Sequence, residues 1–369
     1  MKIALVHDFL REYGGAERVV EAMHEIWPNA PLYTSFVDWN RLGTHAKRFE
    51  GWDIRSSWVQ HNWFVKKFHS PLRFLAPRIW ESFDLSGFDV VISSSGWFIC
   101  RGVRVKKPSV HVCYIHHPPR NLYGYATGSL YDKHWLVKFY ATFINFFMRQ
   151  YDFATAQRVD YFVANSKEVA SRVQKFYRRD STVIYPPVSL STTSRGFKKN
   201  KQEYYLSVGR LMWAKRIDLV IAAANKLSLP LKVVGAGPEE EKLRAMAGST
   251  IEFLGPVSDD ELARLYQGAR ATIFSALNED FGIVPVESQA AGCPVITIAQ
   301  GGVLETVVDG KTGVFFEKPE VDSLIAGIQR FQKLSKDRKW EKECRAQAEK
   351  FSKEVFQTKL KQFIVAHAK

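Results

Sequence analysis

Glu279 and Glu287 bracket the run Asp280-Phe281-Gly282-Ile283-Val284-Pro285-Val286. Ionised carboxylates only accept hydrogen bonds, and hydroxyls of a sugar or a ribose can supply them. Between the two acids, main-chain N–H groups around Gly282 and Ile283 at a helix start would suit a phosphate. Upstream, Arg210 and Lys215 follow a short apolar run and Gly209, where two cations would clamp a diphosphate. His116 stands beside His117, and Pro118 and Pro119 then fix a loop that carries Arg120. Each feature has a plainer explanation. Acidic residues favour the first turn of a helix for dipole reasons alone, loop cations are often simply solvated, and paired histidines occur in exposed turns. The histidines have no further ligands at metal spacing, so a zinc site is not implied. Taken together, the chemistry is recognition of a phosphorylated ligand rich in hydroxyls.

The surrounding elements place these groups. Residues 271–276 form an apolar run with β-branched residues, which predicts a strand. Residues 285–291 predict a helix, with Pro285 in its first turn and Gly292 past its end. Glu279 then lies in the loop at the carboxyl end of a strand, where ligands bind in open α/β sheets. Strands are predicted over 204–208, 231–234, 251–254 and 294–298. Between them come helices over 217–227, 239–246 and 259–267, the last capped by Ser258. The first half alternates in the same way. A strand over 2–7 leads through Gly14 and Gly15 into an amphipathic helix over 16–27 with Val19, Val20, Met23, Ile26 and Trp27 on one side. Further strands fall at 88–96, 109–116, 161–166 and 182–188, and Ser166 caps a helix over 167–176. Alternating strands and helices with short connections predict parallel sheets covered on both faces. No G-x-G-x-x-G is present, so the dinucleotide fingerprint is absent. Gly14-Gly15 permits close approach of a phosphate or a sugar, or is an ordinary turn.

The chain has 369 residues, of which 46% are hydrophobic, a length that suits two domains. The polar run 189–202 is the linker candidate, giving a first domain over 1–188 and a second over 203–350. Cys100, Cys113, Cys293 and Cys344 lie far apart without a C-x-x-C, which argues against a metal cluster and fits a reducing, cytoplasmic compartment. The opening strand is not a signal peptide, and no apolar run reaches the roughly 20 residues of a spanning helix.

The formal net charge is +14 and aromatic residues make up 14%. Such charge implies acidic partners: nucleic acid, phosphorylated substrates or an anionic membrane. Residues 56–80 interleave Trp58, Trp63, Phe64, Phe68, Phe74 and Trp80 with Lys66, Lys67, Arg73 and Arg78. That pattern suits a membrane interface or single-stranded nucleic acid, and equally an ordinary helical hairpin with solvated charges. Residues 131–152, with Tyr131, Trp135, Phe139, Tyr140, Phe143, Phe146, Phe147 and Tyr151, read as an aromatic helix, with core burial favoured.

The E-x7-E arrangement of Glu279 and Glu287 resembles that of retaining glycosyltransferases of family 4, which have the two-domain GT-B fold. Three more segments resemble the same family: Gly14-Gly15-Ala16-Glu17-Arg18-Val19-Val20; the spacing of Tyr114, His116, Pro118 and Arg120; and Gly209-Arg210-Leu211 followed by Lys215-Arg216. The resemblance is strongest over residues 203–317. It implies two Rossmann-like domains facing across a cleft, with a last helix over 351–369 crossing back to the first domain. It also implies site roles. Glu287 would hold the donor's ribose, and Arg210 and Lys215 its diphosphate. Glu279 and His116 would hold the transferred sugar, Arg120 would lie on the acceptor side, and Gly14, Gly15, Gly209, Phe281, Gly282, Ile283 and Val284 would line the donor. GDP-mannose is the first-choice donor. The acceptor would be a glycan or lipid-linked sugar at an anionic membrane surface, in polysaccharide or glycolipid synthesis. Neither nucleic acid nor a cofactor is expected, and without Asp-x-Asp no catalytic metal. Two other readings compete: another GT-B enzyme such as a sugar-nucleotide epimerase, and a non-catalytic basic binder. The epimerase has no need of a basic, aromatic acceptor surface, and the binder has no need of these residues at strand ends.

Overall fold

A computed structural model describes residues 1–125, 135–188, 204–335 and 339–368. The predicted linker 189–202, Tyr131 and Lys133 lie outside the described residues. Met1–Pro187 and the segment from Lys353 onward form one compact unit, and Val188–Ser352 form the other.

The first unit holds β1 (Ile3–His7), β2 (Leu32–Thr34), β3 (Ile54–Ser56), β4 (Val90–Ser95), β5 (Val110–Ile115), β6 (Tyr161–Ala164) and β7 (Ser181–Val183). All pair in parallel, in the order β3-β2-β1-β4-β5-β6-β7. Its helices are α1 (Gly15–Ile26), α2 (Trp39–Leu42), α3 (Trp63–Lys67), α4 (Ala76–Trp80), α5 (Trp135–Arg158) and α6 (Lys167–Tyr177). The second unit holds β8 (Tyr205–Val208), β9 (Leu231–Val234), β10 (Ile251–Gly255), β11 (Ala271–Phe274), β12 (Val295–Ile298) and β13 (Gly313–Phe316). These are also parallel, in the order β10-β9-β8-β11-β12-β13. Its helices are α7 (Ile217–Leu227), α8 (Glu240–Met246), α9 (Asp259–Gly268), α10 (Ile283–Ala290), α11 (Val303–Thr306), α12 (Val321–Leu334) and α13 (Glu341–Glu349). The last helix, α14 (Lys353–His367), belongs to the first unit.

The central strands are buried along their whole length, as expected for parallel sheets covered on both faces. In the first unit, Ile3, Leu5, Val19, Val20 and Met23 pack with Phe356, Leu360 and Ile364 of α14. On the sheet's other face, Ala4 and Val6 pack with Ile79, Trp80, Phe98 and Met148. Buried Trp80 donates its indole N–H to the Phe98 carbonyl at 2.7 Å. In the second unit Tyr205, Ile217, Val220, Ile221, Leu231 and Ile328 form the main core. The helix starts follow from local chemistry. Ser166 accepts from the Val169 N–H at 3.0 Å and Ser258 from the Glu261 N–H at 3.3 Å, satisfying donors that a helix cannot use itself.

Two expectations need correction. Residues 56–80 are not a helical hairpin but short helical turns, and two of the cations are used internally. Arg73 is buried and donates to Asn145 at 2.7 Å and to the Ser70 carbonyl at 3.1 Å, while Lys66 donates to the Val37 carbonyl at 2.6 Å. The aromatic helix α5 is not core throughout. Its later half is anchored by buried Met148, Asp152, Thr155 and Ala156. Asp152 pairs with fully buried Arg101 and accepts from the Tyr123 hydroxyl at 2.7 Å. Its first half leaves Trp135 77%, Phe139 72% and Phe143 57% exposed, with Phe146 and Phe147 half exposed. Ring content and periodicity set how apolar a helix is and on which side its rings gather, but not whether another element covers that side.

Candidate active site

Strand order reverses between β8 and β11 in the second sheet, so the loops leaving these two strands diverge and open a crevice at their carboxyl ends. Gly209 leaves β8 with φ +156, and its N–H donates to the Val234 carbonyl at 3.1 Å. The turn after β9 presses against this loop: a Cβ on Gly235 would stand 2.0 Å from the Gly209 carbonyl oxygen. The β8 loop also meets the β11 loop. Leu277 N–H donates to the Ala214 carbonyl, and the Ser275 hydroxyl lies 2.9 Å from the carbonyls of both Lys215 and Arg216.

That frame brings Lys215 and Glu279 together. Lys215 Nζ is 2.7 Å from Glu279 Oε2, with the side chains 25% and 17% exposed. Lys215 also lies 5.4 Å above the Phe274 ring. Arg210 sits exposed on the same loop as Lys215. Glu279 is fixed from behind, because its carbonyl accepts the Gly302 N–H at 2.9 Å.

Helix α10 begins at Ile283, not at Pro285, because Gly282 at φ +89 turns the chain directly into it. Pro285 is therefore the third helical residue, still within the turn whose N–H groups have no helical partner. The N–H groups of Ile283 and Val284 belong to that same first turn. Phe281 is 2% exposed and meets Phe351 edge-on at 5.4 Å, so only its backbone is available to a ligand. Glu287 is part-buried one turn further on, 3.4 Å from the Tyr266 hydroxyl.

In the first unit the corresponding reversal falls between β1 and β4. His116 directly follows β5, is 9% exposed, and lies 2.7 Å by Nε2 from Ser94 Oγ. Asn165 donates to its carbonyl at 2.9 Å. Arg120 opens a single 3-10 turn after Pro119. Gly14 precedes α1 and donates its N–H to Glu17 at 2.8 Å; Gly15 is the first residue of that helix. Sequence reasoning missed Asp8, His7, Glu17 and Ser94. The buried Asp8 carboxylate accepts from the N–H groups of Gly96 and Phe98 at 3.0 Å and of Cys100 at 2.9 Å, tying the β4 loop to the end of β1. The available signal was His7-Asp8 at a strand's carboxyl end. Among the described residues, no group of three or more His, Cys, Asp or Glu could hold a metal ion.

Each unit is thus a doubly wound sheet whose polar groups gather where the strand order reverses, the organisation of an α/β ligand-binding domain. Residues 13–192 match the family described as Glycosyltransferase Family 4, and residues 192–351 match Glycosyl transferases group 1. The chain belongs to this glycosyltransferase family. A D-inositol 3-phosphate glycosyltransferase of Mycobacterium marinum is 28% identical over 192 residues, covering 46% of this chain and 41% of that protein. An uncharacterized glycosyltransferase of Methanocaldococcus jannaschii is 30% identical over 141 residues, 36% of each chain. The matched regions therefore span less than half the length of these curated relatives. Among solved structures, the Anabaena protein HepE in complex with UDP has a TM-score of 0.71 at 16% identity, covering 99% of this chain and 100% of that one. A lipopolysaccharide outer core galactosyltransferase has a TM-score of 0.69 at 16% identity over 99% of each. These neighbours share the GT-B fold.

Proposed function

We propose that the protein is a retaining glycosyltransferase that moves a hexose from a nucleotide-sugar donor to a glycan or lipid-linked acceptor. The observation that carries this reading is the Lys215–Glu279 pair at the strand-order reversal of the second sheet, beside the first turn of α10 and Glu287. Glu287 accepts from the ribose hydroxyls. Lys215 and Arg210, with the N–H groups of Ile283 and Val284, take up the charge that builds on the departing diphosphate, often the largest catalytic term. Glu279 and His116 contact the transferred sugar, and Arg120 lies toward the acceptor. The bond from the sugar's C1 to the phosphate oxygen breaks as the acceptor oxygen bonds to C1 on the same face. The acceptor's proton passes to the departing phosphate oxygen. No added cofactor or metal enters these steps.

GDP-mannose remains the first-choice donor on the His116–Arg120 segment, although the solved neighbours named above are a galactosyltransferase and a protein in complex with UDP. A thermal-shift panel of GDP-mannose, UDP-glucose, UDP-galactose and UDP-N-acetylglucosamine decides it, since a ligand that binds the native state raises its melting temperature. One nucleotide should stabilise the protein; none doing so would remove the transferase reading. With that nucleotide, Glu287→Ala is expected to lose about 1.5–3 kcal/mol of affinity, the worth of a hydrogen bond to a charged group. Unchanged affinity in a calorimetric titration would move the ribose elsewhere.

The acceptor side is a membrane surface. Among the described residues no helix is long and apolar enough to cross a membrane. The exposed rings of α5 and of residues 63–74 belong to one face of the first unit, tied together by Tyr140 donating to the Pro71 carbonyl at 2.6 Å and Arg73 to Asn145. Lys67, whose Nζ lies 6.0 Å from the Trp63 ring centre, and Lys138 of α5 are both exposed. Each such cation adds about 1 kcal/mol of attraction to an anionic leaflet. The protein is expected to sediment with anionic vesicles and less so as salt rises. Replacing Lys67 and Lys138 by Glu should weaken binding at low salt. Replacing Phe139 and Phe143 by Ala should remove the part that salt leaves untouched. No vesicle binding at low salt, with concentration-dependent dimers instead, would make the face a protein interface.

A further inference from the structure

Three groups of the first unit, His7 at the end of β1, Ser94 near the end of β4 and Glu17 in the first turn of α1, have no part in the roles above. His7 closes β1 and is 3% exposed. Its Nδ1 is 3.1 Å from the Ser94 carbonyl oxygen and 3.3 Å from Ser94 Oγ. A carbonyl oxygen only accepts, so this contact requires a proton on Nδ1. Its Nε2 is 3.4 Å from Glu17 Oε1, and an ionised carboxylate also only accepts. Both contacts are satisfied together only when both ring nitrogens carry protons. Burial opposes that charged ring, but the hydrogen bond and charge of Glu17, the charge of Asp8 and the Ser94 carbonyl raise the His7 pKa above its ordinary value. Glu17 is itself fixed, because its other oxygen takes the Gly14 N–H.

Ser94 passes this arrangement on. A hydroxyl has one hydrogen to give. With His7 Nδ1–H directed at Ser94, the hydroxyl hydrogen is left for His116 Nε2, 2.7 Å away. An Nε2 that accepts leaves the proton of a neutral His116 on Nδ1. The ring's plane is also constrained, since Tyr114 meets it edge-on at 5.4 Å.

We propose that His7, held by Glu17, is a positioning residue that turns the Ser94 hydroxyl toward His116 and so fixes His116 as its Nδ1–H tautomer. The kinetic consequence rests on the transferase reading; the tautomer does not. The test is nitrogen-15 NMR of the full chain with labelled histidine, in which long-range couplings report the protonation of each ring nitrogen. His116→Gln identifies the His116 signals among the ten histidines. Wild type should show His116 with a protonated Nδ1 and a bare Nε2. Ser94→Ala and His7→Gln should each shift it toward a mixture of tautomers, while Ser94→Thr, which keeps the hydroxyl, should retain the wild-type pattern. With a donor that binds, Ser94→Ala should slow transfer about tenfold, the loss of one hydrogen bond, and Ser94→Thr should restore most of it. An Nε2–H signature in wild type would overturn the proposal with no variant needed, and so would an unchanged tautomer in a folded His7→Gln. Tautomers that follow this pattern in a protein that transfers no sugar would leave the positioning intact and remove the transferase reading instead.

Discussion

Lys215→Ala is expected to lower turnover by about 10²- to 10³-fold, the usual cost of removing a preorganised partner of developing charge. The geometry makes the loss larger than that of one cation. Lys215 Nζ lies 2.7 Å from Glu279 Oε2 and both side chains are mostly shielded from water. Without the lysine, Glu279 would be left as an uncompensated negative charge beside the proposed diphosphate position, so repulsion would be added to lost attraction. Lys215→Ala combined with Glu279→Gln should therefore fall short of the sum of the single effects, as residues in direct contact do. Lys215→Arg should recover only part of the rate, because a planar fork does not reproduce a point charge on this carboxylate. Single-turnover kinetics at saturating donor separates these effects from binding. Turnover close to wild type in Lys215→Ala would eliminate the diphosphate clamp.

Gly302→Ala is expected to slow transfer about 100-fold, the effect of moving a catalytic group by about 1 Å. Gly302 has φ −61, an ordinary helical value, so its conformational freedom is not what the position requires. Space is. An added Cβ would stand 2.3 Å from the Asp280 carbonyl oxygen, 2.5 Å from Phe281 Cα and 2.6 Å from the Asp280 carbonyl carbon. All three are backbone atoms, so no side chain can rotate away. The loop that carries Glu279 has to move, and the Gly302 N–H bond to the Glu279 carbonyl moves with it. Overpacking of this kind costs about 1–3 kcal/mol of stability. Gly87→Ala is the control: an added Cβ there meets nothing within 4 Å, and its stability should change by less than about 0.5 kcal/mol. Wild-type transfer in Gly302→Ala would show that the loop tolerates displacement, and that Glu279 does not need this exact placement.

Much of the second unit was legible because its signals are local. β11 has β-branched residues between polar ends, and Gly292, at φ +79, marks the end of α10. The start of α10 was misjudged because Pro285 is tolerated anywhere in the first turn, while the turn itself is made by Gly282. The three-residue strands β2 and β3 are too short to establish a period. The contacts that make the site are of a different kind. Lys215 and Glu279 lie far apart in sequence and meet only because β8 pairs with β11. His7 and His116 are linked through Ser94 only because β1, β4 and β5 are neighbours. Strand order decides these meetings, and a single sequence carries no direct record of it. The exposure of α5 was hidden for a complementary reason: the anchor that buries its later half, Arg101 with Asp152, is an ion pair between distant segments.

The placement of α14 also sets an order of events during synthesis. By Pro187 every strand of the first sheet has been made, yet one face of that sheet still lacks Phe356, Leu360 and Ile364. The second unit lies wholly between the two parts of the first and needs nothing from either to assemble its own sheet. On the ribosome, the half that is translated later is thus the first able to reach its finished core. The half translated earlier waits with that sheet face covered only in part, by α1, until Lys353–His367 emerges. For this chain the period of greatest exposure to aggregation is the time taken to synthesise its own insert, and a chaperone that covers the β1 face would act during that interval.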